Sequence, residues 1–384
     1  MKQQLSSYLY SMKQDLFELS KYLYENPEPG FCEYKAYNQI TSMLKNANFN
    51  VTEHYLDIPT SFYAQFGKGH PKVCYICEYD AIEDKGHLTG HNLIASISVG
   101  AAISLSKVIP KEKGSIIVIG CPGEYIGSSK ITMTRQEVFN DIDVVLMVHP
   151  YIETAESGTS SAIVPLKVTY KNKPNSSILN NAFTPIDAIL TAFNTINNLS
   201  KQINSCSLDG IELKGNTSPI KSSHSSEGTF NIRAQHMTTA CKFETFVREI
   251  CNTIGSTMNM DFDVSIHQLP YSEFTPNSTL SRIFFHNLKE SGVINILPSY
   301  NTVYALSLGS VSEVVPCIHP YISIVEEGSN IEYYSPEFAI ATLSEFAQNN
   351  TLKAAQALAL TGLDIIEKDS ILVEIKNEFF DLKR

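Results

Sequence analysis

This 384-residue sequence predicts an α/β fold: a mostly parallel sheet with helices on both faces, plus a ferredoxin-like α+β lid inserted into it. Three observations carry the prediction. Apolar runs of strand length, such as KVCYICEY and GSIIVIG, are hydrophobic throughout rather than alternating, as expected of strands covered on both faces. They alternate with helical patterns, the order that builds parallel sheets. Near residue 160 the strands begin to alternate, and beyond residue 275 the first character returns.

Taken in order, DLFELSKYLYE is apolar at Leu16, Leu19 and Leu23, a helical spacing that ends at the breakers Pro27, Pro29 and Gly30. YKAYNQITSMLKNANF reads as a second helix. Strands follow at NVTEHY, SFYAQFG and KVCYICEY, then the helix HNLIASISVGAAISLSKVI and the strands GSIIVIGCPG and DVVLMVHP. From SAIVPLKVTYKNK to DFDVSIHQL the pattern is strand, helix, strand, strand, helix, strand, that of a small two-layer unit. CIHPYISI then reads as one apolar strand, and long helices run from Glu337 through about Ile366 and beyond. The expected domains are 1–162 with 276–384, and 163–275 inserted between them.

Composition narrows the function. A hydrophobic share of 43% with 18% charged residues describes a globular chain rather than a disordered one. A net charge of −11 without any Lys/Arg run argues against nucleic acid and favours a small molecule. No signal-peptide core and no bilayer-length apolar run is present, so no membrane association and a cytoplasmic location are expected. The eight cysteines are scattered and read as free thiols; the Cys74/Cys77 pair falls in an apolar strand and reads as core.

Ligands of such sheets sit beyond the carboxyl ends of the strands, and there the informative polar residues collect. Asp80 follows KVCYICEY, Glu124 follows GSIIVIGCPG and His149 follows DVVLMV, while His87 and His91 precede the helix after Asp80. Asp, Glu and His on converging loops are the materials of a metal hydrolase, in which imidazoles ligate and a carboxylate takes a proton from bound water. The six histidines at 54, 70, 224, 236, 267 and 286 read as ordinary surface or hydrogen-bonded residues; His319 in CIHP is either structural or pocket-lining.

The motifs NPEPGFCEYKA, EYDAI followed by GHLTGHNL, CPGEY, MVHP, FNIRA, VVPCIHPYI and YSPEF, in this order, resemble the zinc-dependent aminoacylase and carboxypeptidase family, in particular its amidohydrolase branch acting on aminobenzoyl-glutamate and N-acyl amino acids. The resemblance covers nearly the whole chain. It implies a catalytic domain built from both ends of the sequence, a lid that mediates homodimerisation, zinc or manganese as cofactor, and an N-acyl amino acid or peptide as substrate. It further implies Glu124 as general base, Asp80 as the residue orienting a ligand, and His91 and His149 as ligands.

Other ligand positions are replaced. Thr89 stands where the branch has a cysteine ligand, Tyr125 where it has a glutamate ligand, and Tyr334 where a histidine opens the final motif. In the lid, Ser176 stands for a carbonyl-polarising histidine and Ile220 for an asparagine. Two imidazoles are a poor zinc site, since zinc takes about four donors. The sequence therefore predicts a weak or absent metal and a non-catalytic binding or regulatory member, a pseudoenzyme, alone or paired with an active relative. The alternative is a working amide hydrolase with one metal at His91, His149 and Glu124, with His87 or Asp80 as a further donor.

Overall fold

The computed structural model describes residues 1–173, 182–203, 206–215, 224–302 and 304–382. They form two compact units, Met1–Thr159 with Thr275–Asn301 and Val311–Arg384, and Ser160–Phe274 with Thr302–Ser310. The strands are β1 Asn50–Glu53, β2 Phe62–Lys68, β3 Lys72–Cys77, β4 Gly114–Gly120, β5 Val144–Leu146, β6 His149–Tyr151, β7 Ala162–Asn172, β8 Cys206–Lys214, β9 Ser225–Ala234, β10 Met260–Ile266, β11 Cys317–Ile318 and β12 Tyr321–Ser323.

In the first unit, β1, β2, β4, β3, β5 and β11 lie side by side in that order. The pairs from β4 through β11 are parallel, while β1 and β2 form an antiparallel edge. The uniform hydrophobicity of β3 and β4 has the expected cause: Val73 to Cys77 and all of β4 are buried. The helix His91–Ser106 is buried along its whole length, and it packs with the helix Glu345–Glu367 over the sheet. Burial of every face explains why this helix carries no polar stripe. A helix that periodicity does not single out, Lys2–Ser11, anchors itself through Leu5 and Leu9.

Two segments read from sequence as single strands are each broken. DVVLMVHP divides into β5 and β6, and CIHPYISI into β11 and β12. The breaks fall side by side: β5 pairs β11, then β6 pairs β12 in a separate two-stranded sheet with His149 opposite Tyr321. Pro320, which has no N–H to give a ladder, lies in one of the gaps. Both His149 and His319 are thereby set at the end of the main sheet.

The second unit is a four-stranded antiparallel sheet in the order β10, β7, β9, β8, with the helices Pro185–Gln202 and Met237–Thr257 packed on it. This is the ferredoxin-like arrangement that the strand and helix order implies. A capping box opens its first helix, where the Thr184 N–H donates to Asp187 at 2.8 Å. Among the described residues no helix is long and apolar enough to cross a membrane.

Candidate functional site

The chain leaves β3 through Glu78, Tyr79 and Asp80, all buried, and the helix beginning at His91 starts directly beside them. Gly90 precedes that helix with φ 82°, a left-handed conformation that a side chain resists. His91 Nδ1–H donates to Asp80 Oδ1 at 2.8 Å and lies 3.1 Å from the Asp80 carbonyl. Nε2 thus faces the other way, 3.5 Å from Glu78 Oε2 and 3.4 Å from the Tyr125 hydroxyl. The Tyr125 ring stacks on the imidazole at 4.8 Å between centroids. Burial pushes the His91 pKa down, but the Asp80, Glu78 and Glu124 carboxylates outweigh it and the value ends above the ordinary one. Asp80 shows the converse: burial raises its pKa, and the charge and hydrogen bond of His91 bring it below the usual range.

Glu124 is held by a turn. Gly123 has φ 74°, and a Cβ there would stand 2.5 Å from the Phe31 ring. Its N–H donates to Glu33 Oε1 at 2.9 Å, while Glu33 Oε2 accepts from Thr60 at 2.7 Å. Burial raises the Glu33 pKa to about 7. An acid raised in the folded state stabilises below its unfolded value of about 4.5 and loses that contribution as pH rises through 7. Glu33→Gln keeps the acceptor for Gly123 and removes the ionisation, so it is expected to stabilise the protein at pH 8 by about 3 kcal/mol and to change little at pH 4.5. Urea unfolding at the two pH values measures this; an equal effect at both would show that Glu33 is not the titrating group.

Lys130 is one of the residues of this site that sequence reasoning missed, with Glu78 and Tyr333. Its side chain is 1% exposed, and its ammonium donates to Glu124 Oε2 at 2.6 Å and to Glu78 Oε1. Burial pushes its pKa down, yet the Glu124 and Glu78 carboxylates more than reverse this and hold it charged. Burial raises Glu78, which also bridges to His91. The only hint in the sequence is a lysine six residues after Glu124 in a segment otherwise free of charge, GSSKITM.

His149 stands across the same site, its ring centroid 6.0 Å from that of His91 and nearly perpendicular to it. Its Nδ1–H donates to the Pro150 carbonyl at 2.7 Å. His319 lies 5.3 Å away, and the rings of Tyr321 and Tyr333 also border His149. Burial lowers both imidazoles, His149 well below its ordinary value and His319 to about 4. His87 is lowered to about 4 by burial and by His91; its Nε2–H donates to the Leu23 carbonyl at 3.1 Å. It lies in the loop before the helix, so His87 and His91 do not share a helical face.

Thr89 and Tyr125 are hydrogen-bonded to one another through their hydroxyls. At the final motif it is Tyr333 that meets His149, at 6.2 Å, while Tyr334 is 48% exposed on a left-handed backbone with φ 67°. Ser176 and Ile220 lie outside the described residues. Cys74 and Cys77 are buried in β3.

No family model matches the chain. It is 30% identical to the Xaa-Arg dipeptidase of Mus musculus over 390 residues, covering 94% of this chain and 88% of that one. It is 27% identical to one of the subunits of the p-aminobenzoyl-glutamate hydrolase of Escherichia coli over 320 residues, 76% of this chain and 64% of that one. Its fold is shared by a dinuclear metal-binding peptidase of the M20 family from Bacillus subtilis, with a TM-score of 0.66, 14% identity, and coverage of 90% of this chain and 98% of that one. With a mostly parallel sheet and a ferredoxin-like unit, an Asp80–His91 pair at the strand ends, and 30% identity to a dipeptidase over nearly its whole length, this chain belongs to the metallopeptidase and amidohydrolase family of that dipeptidase.

Proposed function

We propose that this chain binds a small N-acyl amino acid or peptide at the His91–His149 site and does not hydrolyse it. The observation that carries this reading is the set of groups around His91 Nε2: the neutral Tyr125 hydroxyl at 3.4 Å, itself bonded to Thr89, and a carboxylate already paired with Lys130. Zinc and manganese sites are built from imidazole, thiolate and carboxylate donors, and a phenol or aliphatic hydroxyl that stays neutral at pH 7 is a poor substitute. Burial pushes the Tyr125 phenol well above its ordinary pKa, so it stays a neutral hydroxyl. Among the described residues no group of three or more His, Cys, Asp or Glu side chains is disposed to hold one metal ion. The donor set does not fit the family's metal pair, and no hydrolytic step is derived through it. Glu124, the family's base, is engaged by an ammonium instead.

The chain retains surfaces suited to holding a ligand. The partly buried rings of Tyr321 and Tyr333 meet His149 edge to face, and that of Tyr151 lies tilted against both, offering apolar area with phenol donors at its rim. For assembly, the reading is a homodimer through the small unit, whose sheet ends on the edge strands β8 and β10.

Protein purified from zinc-replete medium is expected to hold well below one zinc per chain, to sediment as a dimer, and to cleave N-acetyl, N-benzoyl and dipeptide substrates no faster than Glu124→Gln. A member of that ligand set should nevertheless raise the melting temperature; at a hundred times its Kd, binding stabilises by about 2.7 kcal/mol. Stoichiometric zinc or manganese, with chelator-sensitive hydrolysis abolished by His149→Ala, would instead establish a one-metal hydrolase at His91, His149 and Glu124.

A further inference from the structure

A cavity of about 670 Å3 lies beside the loop that joins Asp80 to His91, and every residue lining it belongs to the first unit. One wall is the turn Pro27 to Pro29 beyond the helix Lys13–Glu25, one is the loop 81–88, and one is the short helix Pro336–Ala341. The Ala81 N–H donates to the Glu28 carbonyl at 2.8 Å, and the Ile82 N–H to the Gly86 carbonyl at 3.0 Å. These backbone bonds tie the first two walls together and close the loop on itself, so the cavity is formed in advance of any ligand. Three features decide what would fit. Its sides are apolar, with Tyr24, Pro29, Ile82 and Leu88 facing Ile340, an isoleucine that folding leaves 62% exposed. His87, 2% exposed, also lines it: Nε2–H donates to the Leu23 carbonyl, so Nδ1 of the neutral ring carries a lone pair, and among the described residues no group donates to it. A buried acceptor of this kind calls for a donor. The charges around the cavity are three carboxylates, Glu28, Glu83 and Asp84, against the single ammonium of Lys85. The Glu28 carboxylate is fixed there, accepting from the Lys35 and Ala36 N–H groups at 2.8 and 3.1 Å.

We propose that this cavity is a second ligand site, separate from the His91–His149 site, and that it takes a small apolar amine: hydrocarbon against Ile82, Leu88 and Ile340, an N–H donated to His87 Nδ1, and the ammonium charge balanced by Glu28, Glu83 and Asp84. Both halves of that description are selective. A carboxylate or phosphate of the same size would meet an excess of like charge, and a plain hydrocarbon would leave the Nδ1 lone pair unanswered. The site stands whether or not the chain hydrolyses anything.

The test titrates 2-phenylethylamine and hexylamine into the full chain by calorimetry, with 3-phenylpropionate as the anionic counterpart. The amines are expected to fill one saturable site, and the acid to bind at least about tenfold more weakly. Ile340→Lys sets an ammonium in the wall at an exposed position, so it should weaken amine binding at least about tenfold while melting like wild type. The exposed pair Glu83→Gln/Asp84→Asn should weaken it several-fold, and His149→Ala, in the other site, should leave it unchanged. His87→Leu removes the lone pair and should weaken it as well; should that chain fail to fold, the two exposed variants carry the test. No saturable binding of either amine, equal binding of the acid, or amine binding that survives Ile340→Lys overturns the proposal. Binding lost in His149→Ala and kept in Ile340→Lys overturns it too, by placing the amine among the tyrosines around His149.

Discussion

Changing Thr89→Cys together with Tyr125→Glu is expected to take the protein from well below one zinc per chain to about one, with affinity tighter by about a thousandfold or more. The size follows from what the two positions touch. The Thr89 and Tyr125 hydroxyls are bonded to each other, and the Tyr125 oxygen is 3.4 Å from His91 Nε2, so both side chains already reach the face of the imidazole that would bind metal. The replacements add a thiolate and a carboxylate to His91 and His149, supplying about four protein donors and the negative charge a dication needs. Tyr125→Glu also takes away the ring stacked on His91. Adding Lys130→Met should tighten binding further by removing a nearby positive charge. Activity is expected to lag behind metal content, because Ser176 and Ile220 stand in the sequence where the resemblance implies a carbonyl-polarising histidine and an asparagine. Zinc analysis after dialysis reads the result. A folded double variant as poor in zinc as wild type would show that Thr89 and Tyr125 do not stand on the metal face, and would count against the family alignment at both.

The strands of the main sheet were legible because burial on both faces writes itself as unbroken apolar runs, as in β3 and β4. The breaks between β5 and β6 and between β11 and β12 were not, since Val, Met, Ile and Tyr continue through them and only Pro320 marks a gap. Those breaks are what turn His149 and His319 into neighbours. Asp80, His91, Glu124 and His149 could be singled out because polar residues ending apolar strands are conspicuous. Lys130 could not. A lysine is ordinarily exposed, and nothing local announces that two carboxylates 52 and 6 positions away will bury it. Tyr333 escaped for a different reason: the left-handed turn at Tyr334 decides which of two adjacent tyrosines faces His149, and a backbone dihedral of this kind leaves no mark on tyrosine identity.

Acid should weaken this protein through histidines that folding keeps neutral. His87 and His319 ordinarily titrate near 6.5, and burial lowers both to about 4. A base depressed in the folded state contributes stability that is present above 6.5 and is lost as pH falls toward the folded value, because the unfolded chain takes up the proton first. Between pH 7.5 and 4.5 each should lose about 2.5 kcal/mol, so about 5 kcal/mol together. His149, lowered further, adds to the same fall. Glu33 works against it: raised to about 7, it returns about 3 kcal/mol over the same interval as it regains its proton. Wild type is therefore expected to decline by about 3 kcal/mol less than Glu33→Gln, whose steeper fall consumes much of a typical domain stability of about 5–15 kcal/mol. In the Glu33→Gln background, His87→Gln should flatten that decline by about 2.5 kcal/mol, since the amide can still donate to the Leu23 carbonyl while having no proton to take up. Urea unfolding at pH 7.5 and 4.5 on the four chains, wild type, each single and the double, separates the terms. If His87→Gln leaves the slope of the Glu33→Gln protein unchanged, His87 is not held neutral by the fold, and the acid sensitivity has to be sought at His149 and His319, where the rings of the site meet.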